Sequence, residues 1–162
     1  MSLDQTTIHW FRQDLRVADN PALLSAARSG RVIPGYIFDD PVPQEFQIGG
    51  ASRVWLHHSL DSLNHTLNGH LRCFRGNPET ILEKLCKEYN VKHVAWNRAY
   101  DPWRIEQDTK VKAKLHSIGI KAQSFNGSLL WEPWETLKAD GSPYRVFTPF
   151  YKKGCLSADV PR

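Results

Sequence analysis

Cysteine is scarce in this chain of 162 residues. Cys73, Cys86 and Cys155 are odd in number and far apart, which excludes a disulfide framework and a cysteine metal knot and points to reduced thiols. No apolar run reaches the roughly 20 residues that cross a bilayer, and Met1–Asp4 has neither the basic nor the apolar region of a secretory leader. A cytoplasmic chain with no membrane partner is expected. Both G-x-G-x-x-G and G-x-x-x-x-G-K-[ST] are missing, so neither the dinucleotide fingerprint nor a phosphate loop is present. His57 and His58 are adjacent and point to different sides of a helix, which argues against a shared metal ion. No serine, cysteine or lysine stands in a nucleophile setting, and Asp39-Asp40 reads as a turn rather than an acid–base couple. No catalytic residue and no metal ligand is assigned. A net charge of +4 gives only a slight pull on anionic partners.

Tryptophan, by contrast, is plentiful. Of the six, Trp103, Trp131 and Trp134 fall where loops or helix starts are expected, and there a large aromatic either plugs a core edge or offers a stacking surface. The stretch Ile8–Asn20 organises the rest: an apolar, β-branched run through Phe11 enters a loop in which Arg12, Asp14, Arg16 and Asp19 alternate in charge. A strand that ends in a charged loop is where an α/β domain keeps its ligand crevice. The same alternation also serves as an ion-pair lattice that fixes the loop.

Along the chain, strands are expected at Thr6–Phe11, Arg31–Phe38, Leu71–Phe74, His93–Trp96 and Ile120–Phe125. Helices begin at Asn20-Pro21, Asn77-Pro78 and Asp101-Pro102, where a capping side chain precedes a proline. A further helix from Ala51 carries Leu56, Leu60, Leu63 and Leu67 at helical spacing and stops at Gly69. In the helix after Pro102, Val111, Leu115 and Ile118 face inward and Lys110, Lys112 and Lys114 face solvent. Strand–helix alternation implies an α/β, Rossmann-like three-layer domain with a five-stranded parallel sheet of order 3-2-1-4-5. In that order the loops Arg12–Asp19 and Asn97–Glu106 meet where the chain reverses across the sheet. Residues 126–143 lose all period, and 152–162 read as an unfinished tail.

Several stretches together resemble the DNA photolyase and cryptochrome family. They are Trp10-Phe-Arg-Gln-Asp-Leu-Arg16 with Asp19-Asn20, Ser52-Arg53 followed by Leu56-His-His-Ser-Leu60, and Trp96-Asn-Arg98 with Tyr100-Asp-Pro102. Glu132-Pro133-Trp134 and Tyr144-Arg-Val-Phe-Thr-Pro-Phe150 complete the set, which is most similar to bacterial class I photolyases that split cyclobutane pyrimidine dimers. The resemblance implies an N-terminal antenna-binding α/β domain at residues 1–135 and the start of an interdomain linker at 136–162. The helical domain that holds FAD and meets damaged DNA would be absent, so this piece of a monomeric enzyme would not be catalytic. It further implies an antenna chromophore, a reduced folate or an 8-hydroxy-deazaflavin, at Phe38, Asp40, Arg53, Asp101, Trp103, Arg104 and Glu106. Trp103-Arg104 stands where one folate-binding type has Asn-Glu, so both chromophores remain open. Exposed apolar surface is expected around Trp131–Trp134 and Phe147–Phe150. A cryptochrome-type photoreceptor and an unrelated nucleotide-binding domain are the alternatives.

Overall fold

Proline supplies the helix starts. In the computed structural model, which describes residues 5–40 and 42–161, α1 (Pro21–Arg28), α3 (Pro78–Glu88) and α4 (Pro102–Ser117) each open on one. Its missing N–H is no loss in a first turn, and its fixed φ suits the helix. Asn20 Oδ1 accepts from Leu23 N at 3.0 Å and Asn77 Oδ1 from Glu79 N at 2.8 Å. Asp101 occupies the third cap position but makes no side-chain cap bond. The remaining helix, α2 (Gly50–Thr66), buries Leu60 and Leu63. It ends where Gly69, at φ +79, donates its N–H to Asn64 O at 2.8 Å.

The strands β1 (Gln5–Phe11), β2 (Gly30–Asp39), β3 (Arg72–Gly76), β4 (His93–Asn97) and β5 (Lys121–Phe125) form one parallel sheet in the order β3-β2-β1-β4-β5. This is the expected order, with strand ends moved by a residue or two. Pro34 is tolerated inside β2 because pairing with β3 starts only at Gly35↔Arg72. β1 lies at the centre and is buried on both sides from Thr7 to Phe11, as a sheet covered on both faces requires. On one face Ile8, Trp10, Val94 and Trp96 pack with Leu82, Leu85, Val111 and Leu115 of α3 and α4. The other face is built from small residues, Ala22 and Ala26 of α1 on Ala95. One lysine departs from expectation: Lys112 is not turned to solvent but donates to Ser124 Oγ at 2.8 Å, with its ammonium 5.7 Å from the Trp96 ring centre. Its apolar stem is covered there, and burial, against the opposing pull of Asp108, lowers its pKa.

The chain divides into two compact units, one ending at Gly127 and the other starting at Ser128. In the second unit a short helical turn, Phe147–Pro149, continues as a π-helical stretch, Phe150–Cys155. Part of the supposed tail is therefore helical. Within this unit Trp131 Nε1 donates to Asp159 O at 2.8 Å, and the Phe147 and Tyr151 rings stack. Trp134 and Phe147 are exposed, whereas Trp131 and Phe150 are partly covered.

Candidate functional site

Arg12 leaves the end of β1 and turns inward. Its guanidinium donates to both oxygens of Asp108 on α4, at 2.7 and 3.2 Å, and to Asn97 O at 2.7 Å. Asp108 also accepts from Trp96 Nε1 at 2.8 Å. The Arg12 pairing expected within its own loop is thus replaced by a buried bond across the sheet. Asp14 instead accepts from Arg12 N, Asn20 Nδ2 and Asn97 Nδ2, and Asn97 Oδ1 accepts from Ala22 N. The two charged loops do meet, as the strand order implied. Asn97 is the clasp between them, bonded to Asp14, Asn20 and Ala22.

The opening lies over the ends of β1, β2 and β3. A cavity of about 490 Å³ is lined there by Trp10, Arg12 and Gln13, by Tyr36–Asp40, by Val42 and Phe46–Ile48, by Arg53, Leu56, His57 and Leu60 of α2, and by Arg75 and Arg104. Four of the seven expected positions, Phe38, Asp40, Arg53 and Arg104, are on this wall. Trp103 stacks on Phe46, with ring centres 5.9 Å apart, and carries the Arg104 guanidinium 4.3 Å from its own ring centre. Asp101 comes within 3.9 Å of Arg104 Nε. Glu106 lies outside the lining, exposed and paired with Lys110 at 2.8 Å, which lowers its pKa.

Residues that no sequence motif singled out complete the site. Tyr36 and Phe38 meet edge to face at 5.0 Å, and the Arg75 guanidinium sits 5.8 Å from the Phe38 ring centre. Gln107, one turn after Arg104 on α4, donates its amide to Asp39 Oδ2. That spacing was a usable signal, since residues three apart share a helix face. Burial raises the Asp39 pKa against the opposing pull of Gln107 and Arg104, and raises that of Tyr36. Burial, with Arg12 nearby, lowers that of Arg104. Trp10 Nε1, Arg12 Nε, Arg104 Nε, Asp39 Oδ1 and Gln107 Oε1 are all buried and make no hydrogen bond among the described residues. Buried polar atoms are nearly always paired, and an unpaired one costs about 1–3 kcal/mol. An aromatic-walled cavity above such a set is suited to a flat molecule with polar edges. Among the described residues no group of three or more His, Cys, Asp or Glu could hold a metal ion, and no helix is long and apolar enough to cross a membrane.

The family model for DNA photolyase matches residues 7–162. This chain belongs to the DNA photolyase family. A deoxyribodipyrimidine photo-lyase of Agrobacterium fabrum is 44% identical over 149 residues, covering 90% of this chain and 30% of the relative. Cryptochrome-2 of Arabidopsis thaliana is 38% identical, covering 99% of this chain and 27% of the relative. The chain therefore spans about a third or less of these photolyase-family relatives. Among solved structures, a bacterial class III photolyase from Agrobacterium tumefaciens superimposes with a TM-score of 0.86 at 41% identity, covering 97% of this chain and 34% of the other. Class III is the class of that relative, where the motifs alone suggested class I. An archaeal photolyase from Sulfolobus tokodaii, described as containing two FAD molecules with the implication of a novel light-harvesting cofactor, gives a TM-score of 0.73 at 25% identity, over 98% of this chain and 36% of that one.

Proposed function

We propose that this chain is the light-harvesting α/β part of a deoxyribodipyrimidine photo-lyase and that its cavity holds the antenna chromophore, a reduced folate or an 8-hydroxy-deazaflavin. The observation that carries this reading is the set of unpaired buried polar atoms beneath aromatic walls in a cavity of about 490 Å³. That volume suits one heterocyclic ligand. Tyr36 and Phe38 wall the ring system, Asp40 meets its polar edge, and Arg53, with His57 and Arg75 near it on the lining, takes an anionic tail. Arg104 reaches the ring edge, held by Trp103 and Asp101. Glu106 has the most peripheral part, a contact at the start of α4. The chromophore absorbs light and passes the excitation on; these residues bind it, orient it and exclude water.

In the full protein, FAD and the damaged DNA belong to a further domain, where light-driven electron transfer from reduced flavin splits the cyclobutane dimer. This piece by itself is not catalytic, and the enzyme acts as a cytoplasmic monomer. Residues 136–162 begin the linker to that domain. The likeness to cryptochrome-2 over almost the whole chain favours a second reading, a blue-light photoreceptor without repair activity. A dimer-repair assay on the full-length protein separates the two.

The direct test of the antenna role is the absorption spectrum of the protein purified from its own host, with released small molecules identified by mass. A folate or deazaflavin that disappears in Arg53→Ala and Arg104→Ala supports the role. Flavin as the sole pigment refutes it and leaves this unit a structural brace.

A further inference from the structure

The bottom of the cavity is more selective than its walls. Arg12 Nη1 donates to Asp108 and Nη2 to Asp108 and Asn97 O, so Nε is the guanidinium nitrogen that has no partner among the described residues. The Trp96 indole holds Asp108 in turn, so the Arg12 rotamer is pinned from two sides. Arg12 Cζ lies 5.0 Å from the centre of the Trp10 ring, and Trp10 Nε1 is unpaired as well. Trp10 is 2% exposed and Arg12 6%. Both side chains, each more than nine-tenths buried, belong to the lining of the same cavity.

An acceptor belongs to the same lining, on Asp39. Gln107 occupies Asp39 Oδ2 through its amide nitrogen, and Oδ1 has no partner. The amide cannot turn over without setting its oxygen against a carboxylate. Arg104 Nε is a third donor, 3.9 Å from the Asp101 carboxylate and too far for a hydrogen bond. A ligand carboxylate at this spot would face Asp39, and a ligand without an N–H would leave Oδ1 unpaired. A ring carbonyl beside a ring N–H satisfies donors and acceptor together.

We propose that the cavity recognises the lactam edge, –C(=O)–NH–, of its heterocycle. Asp39 Oδ1 accepts from the ring N–H, and Trp10 Nε1 and Arg12 Nε donate to the carbonyl oxygen. Asp108 and Gln107 are positioning residues: they touch no ligand and fix the atoms that do. This assignment rests on the chromophore reading above and goes beyond it, because it names the chemical group that is read. Pterins and flavins or deazaflavins share that group, so the probes must include both.

The test titrates the chain with two matched pairs, lumiflavin with 3-methyllumiflavin and pterin with 3-methylpterin, followed by fluorescence. Each pair differs by one methyl on the lactam nitrogen. Methylation is expected to weaken binding by about tenfold or more in whichever pair binds, since it sets a methyl against a buried carboxylate oxygen. Binding by one pair alone also tells which heterocycle is the natural kind. In Asp39→Asn, Gln107 keeps the amide oxygen engaged and the new NH₂ faces the ring N–H, so the parent compound should fall to the level of its methyl analogue. Trp10→Phe keeps the apolar bulk and removes one donor to the carbonyl; it should weaken parent and methyl analogue alike, with the methylation penalty intact. Parent and methyl analogue binding equally to the unaltered chain would overturn the lactam assignment while leaving the cavity a chromophore site. No binding by either pair would overturn both. Should Asp39→Asn fail to fold by circular dichroism, the comparison on the unaltered chain still decides.

Discussion

Acidification should loosen this fold through one histidine. His9 sits in the central strand β1, paired in register with Pro34 of β2 and Ala95 of β4, and is fully buried with its ring edge-on to Phe11 at 4.3 Å. Burial pushes its pKa from 6.5 down to about 4, against the opposing pull of Asp14 and of the Ala95 backbone. A histidine depressed in the folded state stays neutral there while the unfolded chain takes up its proton. Stability is therefore unaffected by this group above pH 6.5, falls as pH drops through the window from 6.5 to about 4, and levels off below. At about 1.4 kcal/mol per pH unit, the loss across that window is about 3 kcal/mol, a large share of the ~5–15 kcal/mol that holds an ordinary domain folded. Urea unfolding followed by tryptophan fluorescence, from pH 7.5 to 4, would be run on the wild type and on His9→Leu, which cannot titrate. Subtracting the two profiles removes the carboxylates they share. The difference should be flat above pH 7 and decline by about 3 kcal/mol towards pH 4. A flat difference throughout would show that His9 takes up its proton as easily folded as unfolded, and the argument from burial would fail.

Asp108→Ala should cost about 3–5 kcal/mol in urea unfolding, because it strands the Arg12 guanidinium, whose side chain is 3% exposed, without its partner. Gly127→Ala should destabilise by about 1–3 kcal/mol: a Cβ there would lie 2.5 Å from Asn97 Cγ, and Asn97 is held by bonds to Asp14, Asn20 and Ala22 and has nowhere to move. A thermal midpoint unchanged by that substitution would refute the clasp. The caps should also differ. Asn20→Ala should lose at least about 1 kcal/mol, whereas Asp101→Ala, which removes no cap bond, should lose only a few tenths; equal losses in thermal unfolding would count against that distinction.

Much of this architecture was legible because its causes are local. A capping side chain followed by proline marks a helix start wherever it occurs, and the periods of 2 and 3.6 separate strand from helix without reference to the rest of the chain. The family motifs likewise sit in short stretches, from Trp10 to Arg16 and from Trp96 to Pro102. The site was legible only in part. Phe38, Asp40, Arg53 and Arg104 come to one cavity wall, but nothing local distinguishes Asp101, which looks like a cap and bonds none, or Glu106, whose helical neighbour Lys110 claims it.

The sequence by itself determined the elements, their parallel order and the family, since each depends on neighbours along the chain or on the length of a crossover. Tertiary structure alone decided which charges pair. Arg12 passes over nearby Asp14 for Asp108, 96 positions away, because a guanidinium buried by the sheet needs a carboxylate buried with it. The same burial decided which atoms were left without partners. Trp10 Nε1, Arg12 Nε and Asp39 Oδ1 become a recognition edge only when β1, β2 and α4 are brought together and water is excluded from around them.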